Sequence, residues 1–214
     1  GATATITTLN GGTLALGTTE LTVTAGTSGG TLSGANGSLI KAGAGTLTLS
    51  GANTFGGTTT LSAGSLVASA GSLAGTSGIV VNGGSLVLGA ANTVTGDVVI
   101  NGTGTIVQTA TDGLDRYSKL SFGSGSTGSF SLNGNDAQLN GLSTHATVGS
   151  PVVSNGAVGN SGLTVTVASG NDTFGGSIPR NFLPAIEKGV RQVMQGGAVA
   201  GYPMQGIKVS VYDG

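Results

Sequence analysis

Residues 38–69 read SLIKAGAGTLTLSGANTFGGTTTLSAGSLVAS, a series of short apolar-alternating runs separated by Ala-Gly and Gly-Gly steps. The alternation places Leu47 and Leu49 on one face and Thr46 and Thr48 on the other, which is the pattern of a β-strand. Glycine adopts the positive φ angles that sharp turns require, so each glycine step predicts a turn between strands. One such unit cannot bury its leucine face alone. The stretch therefore predicts a fold in which similar units stack on one another.

Similar units recur along the chain, each with a small residue and a glycine between two strand-like runs. The glycines that mark these predicted turns are Gly11, Gly26, Gly43, Gly64, Gly83, Gly102 and Gly134, with Gly156 as the mark of a further coil. Up to Gly102, neighbouring members of the series are separated by about 20 residues, which is the length of one coil of a β-helix. Gly102 and Gly134 are farther apart. This long interval predicts an insertion over Thr111–Ser124, with charged residues at 112, 115, 116 and 119, that leaves the solenoid wall.

The composition permits a narrow apolar interior. Glycine accounts for 43 of the 214 residues, hydrophobic residues for 37% and aromatic residues for 4%, so the core has to be built from small aliphatic side chains. We predict inward stacks of Leu47, Leu49, Leu66, Val81, Leu86, Leu88, Val99 and Ile106. Charged residues make up 7% and the net charge is −1, which argues against a nucleic-acid partner. The absence of cysteine excludes disulfides and thiolate metal sites.

The segment KAGAGTLTLSGANTFGGTTTLSAGSLV, residues 41–67, resembles the autotransporter-associated β-strand repeat of bacterial passenger domains. Residues 132–178 resemble the segment between such repeats, so the resemblance covers residues 1–178. It implies a mainly β protein, a right-handed parallel β-helix, on the surface of a Gram-negative cell or released from it. We assign residues 1–176 to this solenoid and expect an extracellular or cell-surface location.

The composition changes after Ile178. Residues 177–214 hold three of the four prolines and both methionines, and we predict a short α/β tail there. Ile186, Val190, Val193 and Met194 have helical spacing, and residues 207–211 alternate as a strand. Residues 175–214 resemble part of the fourth domain of translation elongation factor G. The sequence contains no G-x-x-x-x-G-K-[ST] motif, so we expect neither a nucleotide site nor a role in translation.

Residues with catalytic or metal-binding chemistry are sparse, and we predict no catalytic, cofactor or metal site. His145 has no nearby cysteine and is expected to be an exposed turn residue. Asp112 and Asp115 are the closest carboxylate pair, and glycoside hydrolysis requires such a pair across a groove. Gly-Asn-Asp at 134–136 and at 170–172 is weakly similar to a calcium-binding repeat, but it lacks the tandem copies that share an ion.

Threonine pairs with one residue between them recur at 3/5, 22/24, 46/48, 58/60 and 164/166. On stacked coils these would form outward ladders about 4.8 Å apart. Such ladders are typical of a solvated β-face. A flat ice-binding or glycan-binding surface is the alternative interpretation.

These observations favour a non-enzymatic extracellular structural protein: an adhesin stalk, a passenger scaffold or a filament subunit. The first alternative is a glycan- or surface-binding β-helix module, which a groove lined by aromatic residues would favour, but Tyr117 and Phe122 are almost the only candidates for such a groove. The second is a polysaccharide-active enzyme. An uncapped solenoid exposes a strand edge, so we expect self-association through the solenoid ends or the tail. Surface glycans are the other partner that we consider.

Overall fold

A computed structural model describes residues 1–69, 71–89, 92–94 and 96–155, together with the backbone of 163–165. This part of the chain is all β, with parallel strands in a β-solenoid of about 7 turns and no helix, which confirms the predicted fold class. The chain divides into two units, Gly1–Val167 and Ala168–Gly214. The predicted tail and the coil at Gly156 lie outside the described residues.

The solenoid is built from short strands. They are β1 (Thr3–Asn10), β2 (Leu14–Ala15), β3 (Glu20–Ser28), β4 (Leu32–Gly34), β5 (Ser38–Lys41), β6 (Thr46–Leu49), β7 (Thr54–Phe55), β8 (Thr59–Leu61), β9 (Ser65–Ala68), β10 (Ile79–Val81), β11 (Ser85–Leu88), β12 (Asp97–Ile100), β13 (Thr105–Gln108), β14 (Lys119–Phe122), β15 (Ser129–Ser131), β16 (Ala137–Leu139), β17 (Gly141–Thr144), β18 (Val152–Ser154) and β19 (Leu163–Val165).

The strands form three walls around one core. Wall A contains the first half of β3 with β5, β8, β10, β12, β14 and β17, and wall B contains the second half of β3 with β6, β9, β11, β13, β15 and β18. The strand β1 pairs with β3 over nearly its whole length and so begins both walls. Wall C consists of β2, β4 and β7, an isolated bridge between Asn92 and Leu114, and the pair of β16 with β19.

Neighbouring coils stay in register although their lengths differ. A short coil near the start of wall A aligns Ala4 with Leu21, and a longer one aligns Val98 with Leu120. The alignment of Ile106 with Phe130 on wall B spans a coil that is longer still. The predicted coil length of about 20 residues is therefore confirmed as a mean. The extra residues of long coils lie in the corners.

Seven of the eight predicted inward residues are confirmed, since each is fully buried: Leu47, Leu49, Leu66, Val81, Leu86, Leu88 and Ile106. The prediction for Val99 is wrong. Val98 and Ile100 face the core, and Val99 lies on the outer side of β12. The segment DVVI has three consecutive β-branched residues, so its alternation is ambiguous in the sequence.

The predicted turn glycines belong to two different corners. Gly43, Gly64 and Gly102 have positive φ at the corner between walls A and B, where Gly84 rather than Gly83 has the positive φ. Gly11 and Gly134 instead lie between walls B and C, at the ends of β1 and β15. Gly26 lies inside β3, where its missing side chain allows contact with the backbone of Leu9.

Gly102 lies at a corner between walls A and B, whereas Gly134 lies at a corner between walls B and C, so the long interval between them does not measure one coil. The predicted insertion is only partly present. Residues 119–122 form β14, which pairs with β12 and β17 in wall A. The corner between walls A and B that was missed lies at 123–128 and includes Gly125 with a φ of 67°. Residues 109–118 do leave the regular strands, apart from the bridge at Leu114.

No helix that is long and apolar enough to cross a membrane occurs in the part of the chain that the structure describes.

Candidate functional site

The most unusual group in the core is Lys41, at the end of β5. Leu39 faces inward, so strand alternation carries Lys41 inward too, and its side chain is fully buried. On wall A its row continues to Val23 in the preceding coil and to Leu61 in the next. A cationic side chain therefore occupies one position of an otherwise aliphatic stack.

The ammonium group of Lys41 is held by backbone carbonyl oxygens. Nζ donates to the oxygens of Ala42 at 2.8 Å, Gly43 at 2.8 Å and Ala63 at 3.0 Å, so each of its three protons has an acceptor. Ala63 belongs to the following coil, so the side chain ties two coils together. Burial lowers the pKa of Lys41, because the charged form has lost its water.

Glycine at the corner makes room for this group. Gly43 and Gly64 have φ angles of 70° and 73°, a conformation that other residues rarely adopt. A Cβ atom on Gly64 would lie 2.8 Å from Nζ of Lys41 and would collide with the backbone of Gly43 and Gly45. The carbonyl cage, which we define as the oxygens of Ala42, Gly43 and Ala63, thus depends on glycine at position 64.

Wall C uses amide side chains where its backbone ladder is interrupted. Asn53 is buried, and its Oδ1 accepts from the N–H of Leu32 at 2.8 Å while its Nδ2 donates to the carbonyl of Ser72 at 2.7 Å. Two coils after Asn53, Oδ1 of Asn92 accepts from the N–H of Leu73 in the coil between them at 3.0 Å. These amides replace the hydrogen bonds that a longer strand would make. The polar groups serve the stacking of coils.

Three of the four charged residues predicted to lie in an insertion, Asp112, Asp115 and Arg116, lie within residues 109–118, whereas Lys119 begins β14. Asp115 Oδ1 accepts from the N–H of Tyr117 at 2.7 Å, and its Oδ2 accepts from the hydroxyl of Thr93 at 3.4 Å. Asp112 has a φ of 52°, and its Oδ1 accepts from the N–H of Gln138 at 2.9 Å. Both carboxylates therefore bond to local polar groups, which is a turn-stabilising arrangement.

Tyr117 is the most exposed large hydrophobic side chain of the described residues, at 65%. The guanidinium of Arg116 lies 5.1 Å from the centre of its ring and donates to its hydroxyl at 3.1 Å. This hydrogen bond raises the pKa of Arg116 further above its ordinary value. A ring with a guanidinium beside it and open solvent around it is an arrangement that can stack on a planar or sugar ligand.

The other candidates from the sequence lie apart from one another. His145 is exposed in the turn after β17, and its Nδ1 lies 2.9 Å from the hydroxyl of Thr147. Phe122 is 3% exposed, so it is not available to line a binding groove. Strand alternation turns it inward with Leu120. Asp136 of the first Gly-Asn-Asp is exposed, and the second copy lies outside the described residues.

No group of three or more His, Cys, Asp or Glu side chains that could hold a metal ion occurs within the described ranges.

The threonine pairs do not form uniform ladders. The outward row through Thr5 and Thr22 continues to Ile40 before it reaches Thr60. On wall B one outward row contains only serine and threonine, whereas the next outward row contains mostly valine. The hydroxylic row is Thr46, Ser65, Ser85, Thr105 and Ser129, and the neighbouring row is Thr48, Val67, Val87, Val107 and Ser131. A regular threonine lattice is therefore absent from these rows. The pair at 164/166 cannot be assessed, because its side chains are not described.

Comparisons with known proteins give two family matches. The model of the Passenger-associated-transport-repeat matches residues 39–68, a range that runs from β5 to β9 and includes Lys41 and Asn53. The model of Elongation factor G, domain IV matches residues 156–214, a range that begins earlier than the resemblance at 175 and includes β19. No solved structure matches the chain significantly. The two matches agree with the two resemblances seen in the sequence, each over a short part of the chain.

Proposed function

We propose that the chain is a non-enzymatic structural element displayed outside a Gram-negative cell, as an adhesin stalk, passenger scaffold or filament subunit. A β-solenoid with a passenger repeat fits an autotransporter passenger-like structural protein. The observation that carries the proposal is the use of the buried polar groups. Lys41 bonds to backbone oxygens of its own coil and of the following one, and Asn53 bonds to the backbone of both neighbouring coils, so these buried polar groups stabilise the stacking of coils.

Surface display is the experiment that tests the proposal. The chain, with an N-terminal epitope, would replace the passenger of a Gram-negative autotransporter, and antibody binding to intact cells would be measured. We expect display and a protease-resistant core, because parallel coils with a filled interior resist local opening. The purified chain should release no reducing ends from polysaccharides. Failure of display, or release of reducing ends, would refute the proposal.

A glycan-binding module is the second candidate, and the exposed ring of Tyr117 is the observation that favours it. Aromatic rings supply stacking area for sugars, and the guanidinium of Arg116 lies 5.1 Å from the centre of this ring. Binding to a panel of surface polysaccharides should be lost in Tyr117→Ala and kept in His145→Ala. His145 is an exposed residue of a different turn and serves as the control. Equal binding by both variants would exclude the Tyr117 surface.

Self-association through the solenoid ends or the tail is part of the structural proposal. The tail has one predicted apolar helix stripe and an alternating strand, and about 38 residues cannot bury enough surface to fold alone. Truncation after Ser177 should lower either the melting temperature or the assembly of the chain. A truncated chain with unchanged melting and assembly would mean that the tail is a passive appendage.

A further inference from the structure

Asparagine followed by glycine is the sequence in which a side-chain amide is most open to attack by the next backbone nitrogen. Glycine has no Cβ atom to shield that nitrogen. Six such pairs lie within the described residues, at 10–11, 36–37, 82–83, 101–102, 133–134 and 140–141. Since the reacting groups are the same in every pair, the surroundings that the fold supplies decide which pair reacts.

Three of the pairs are protected, because the glycine N–H already donates a hydrogen bond. The acceptors are backbone carbonyl oxygens at 2.8, 3.1 and 3.0 Å, for Gly11, Gly37 and Gly134 respectively. In a fourth pair, Gly141 is buried at the start of β17. A nitrogen that is bonded or buried in this way is not free to attack the side chain.

The remaining two pairs occupy the same corner between walls A and B in consecutive coils. Neither Gly83 nor Gly102 donates its N–H to an acceptor in the part of the chain that the structure describes. Nδ2 of Asn101 donates to Oδ1 of Asn82 at 3.0 Å, so the two side chains form a short amide ladder. One asparagine of this ladder is the donor and the other is the acceptor, and this difference matters for their reactivity.

The ladder activates Asn82 and restrains Asn101. Attack on Cγ of Asn82 moves negative charge onto its Oδ1, which already accepts a hydrogen bond from Asn101. Asn82 is exposed, and its amide nitrogen, the leaving group, has no protein partner among the described residues. The amide nitrogen of Asn101 is instead held by Asn82. A Cβ atom on Gly123 would collide with Oδ1 of Asn101, so this oxygen is packed against the next coil.

We propose that Asn82 is a site of intramolecular deamidation, at which the backbone nitrogen of Gly83 converts the side-chain amide into a carboxylate. The nitrogen of Gly83 forms a bond to Cγ of Asn82, its proton passes through solvent to the side-chain nitrogen, and ammonia leaves. Water then cleaves one of the two C–N bonds of the cyclic imide. The product is aspartate or isoaspartate at position 82, and the reaction requires no oxidant, reductant or cofactor.

The aspartate product adds a negative charge to the corner and keeps the ladder. Nδ2 of Asn101 donates to a carboxylate oxygen as it does to the amide oxygen, and a hydrogen bond to a charged acceptor is the stronger of the two. The residues next to position 82 in the adjacent coils are Ser62 and Asn101, which carry no charge that would repel the carboxylate. We therefore expect the aspartate form to stay folded.

The test is prolonged incubation of the full chain in neutral buffer, followed by digestion and mass spectrometry that resolves the six pairs. In the folded chain, deamidation at Asn82 should be at least about threefold faster than at any other pair. A parallel incubation in concentrated urea removes the hydrogen bonds of the fold, and there the six pairs should react at similar rates.

Variants of Asn101 test whether its donor activates Asn82. Asn101→Ala removes the donor and should slow deamidation at position 82 by about three- to tenfold. Asn101→Asp keeps the size of the side chain without the donor, so it separates loss of the hydrogen bond from loss of packing, and it should slow the reaction too. Thr103→Ala changes an exposed side chain of the same turn and should leave the rate unchanged. Circular dichroism of each variant verifies the fold.

Three results would overturn the inference. They are a rate at Asn82 no higher than at the bonded pairs, a faster reaction at Asn101 than at Asn82, and an unchanged rate at Asn82 in both Asn101 variants. None of these results affects surface display, so the proposed function and the deamidation site can fail separately.

Discussion

Replacement of Lys41 by methionine tests whether the carbonyl cage stabilises the solenoid. Methionine keeps an unbranched stem between Val23 and Leu61 and removes the ammonium group. Each hydrogen bond to a charged group contributes about 1.5–3 kcal/mol, so three bonds amount to about 4–9 kcal/mol. Against this stands the desolvation of the ammonium group, which costs several kcal/mol. We expect Lys41→Met to lower the free energy of unfolding by about 1–3 kcal/mol, the cost of leaving partly buried carbonyls without a donor.

The assay is urea and thermal unfolding at neutral pH. A loss of about 2 kcal/mol corresponds to about 4–8 °C in a chain of this size. The control is Lys119→Met, because Lys119 lies on the exposed side of wall A, where the loss of a surface charge and its contacts should change stability by less than about 1 kcal/mol. A Lys41→Met chain that is as stable as the wild type would refute the reasoning. It would mean that the desolvation of the ammonium group fully offsets the three hydrogen bonds.

The pH dependence has a definite sign. Burial lowers the pKa of Lys41 in the folded chain, so the unfolded chain binds this proton more tightly. Below the folded pKa the desolvation cost is fully present. It is relieved as pH rises from the lowered value towards the ordinary value of 10.5. The stability of the wild type relative to Lys41→Met should therefore rise over this window. A difference that stays flat or falls would contradict the lowered pKa.

Two further substitutions test the wall register and the glycine corner. Leu49→Asp should lower the free energy of unfolding by several kcal/mol, because it places an unpaired charge in the core. Thr48→Asp, on the outer side of the same strand, should change it by less than about 1 kcal/mol. Equal melting temperatures of the two variants would refute the register. Gly64→Ala should cost more than Gly125→Ala in urea unfolding. Both glycines have positive φ, so the backbone strain of an alanine is common to the two variants. A Cβ atom at position 125 meets nothing within 4 Å, whereas a Cβ atom at position 64 approaches Nζ of Lys41. Equal losses of stability would mean that the carbonyl cage tolerates displacement.

Period-two alternation predicted the strands well where polar and apolar residues differ clearly. In Thr46–Leu49 the leucines and threonines assign both faces without ambiguity, and all of these positions agree with the structure. Asp97–Ile100 contains three β-branched residues in sequence, so two registers satisfy the pattern equally. Only the alignment of Val98 with Ile79 in the preceding coil selects one of them. The information that was missing was the pairing between coils.

Glycine spacing predicted the coil length but not which corner each glycine occupies. The corners between walls A and B and between walls B and C both use a small residue followed by glycine, because both need a backbone with positive φ. Gly11 and Gly134 were therefore aligned with glycines of the wrong corner. The true equivalent, residues 123–128, was obscured by the charged residues just before it.

The sequence predicts the buried polar residues only in part. Alternation with Leu39 indicates that Lys41 faces inward, but a lysine at an inward position departs from the apolar pattern of a core strand. Its acceptor at Ala63 belongs to the next coil and is far from it along the chain. Asn53 likewise bonds to Leu32 in the preceding coil and to Ser72 in the following one. Such contacts depend on the stacking of coils and have no local signature.

The alignment of the coils and the positions of the charged residues indicate which parts of this solenoid can acquire a binding function. The step from Ile106 to Phe130 is longer than the preceding step from Leu86 to Ile106, yet β13 and β15 remain aligned, so a corner absorbs extra residues without disturbing a wall. The outward rows of wall B from β6 to β15 contain no charged residue, whereas residues 109–118 hold three charges and the exposed Tyr117. Insertions at corners are therefore tolerated, while substitutions at inward positions are not. New binding chemistry is expected at the corners, and the walls serve as the rigid support that holds it.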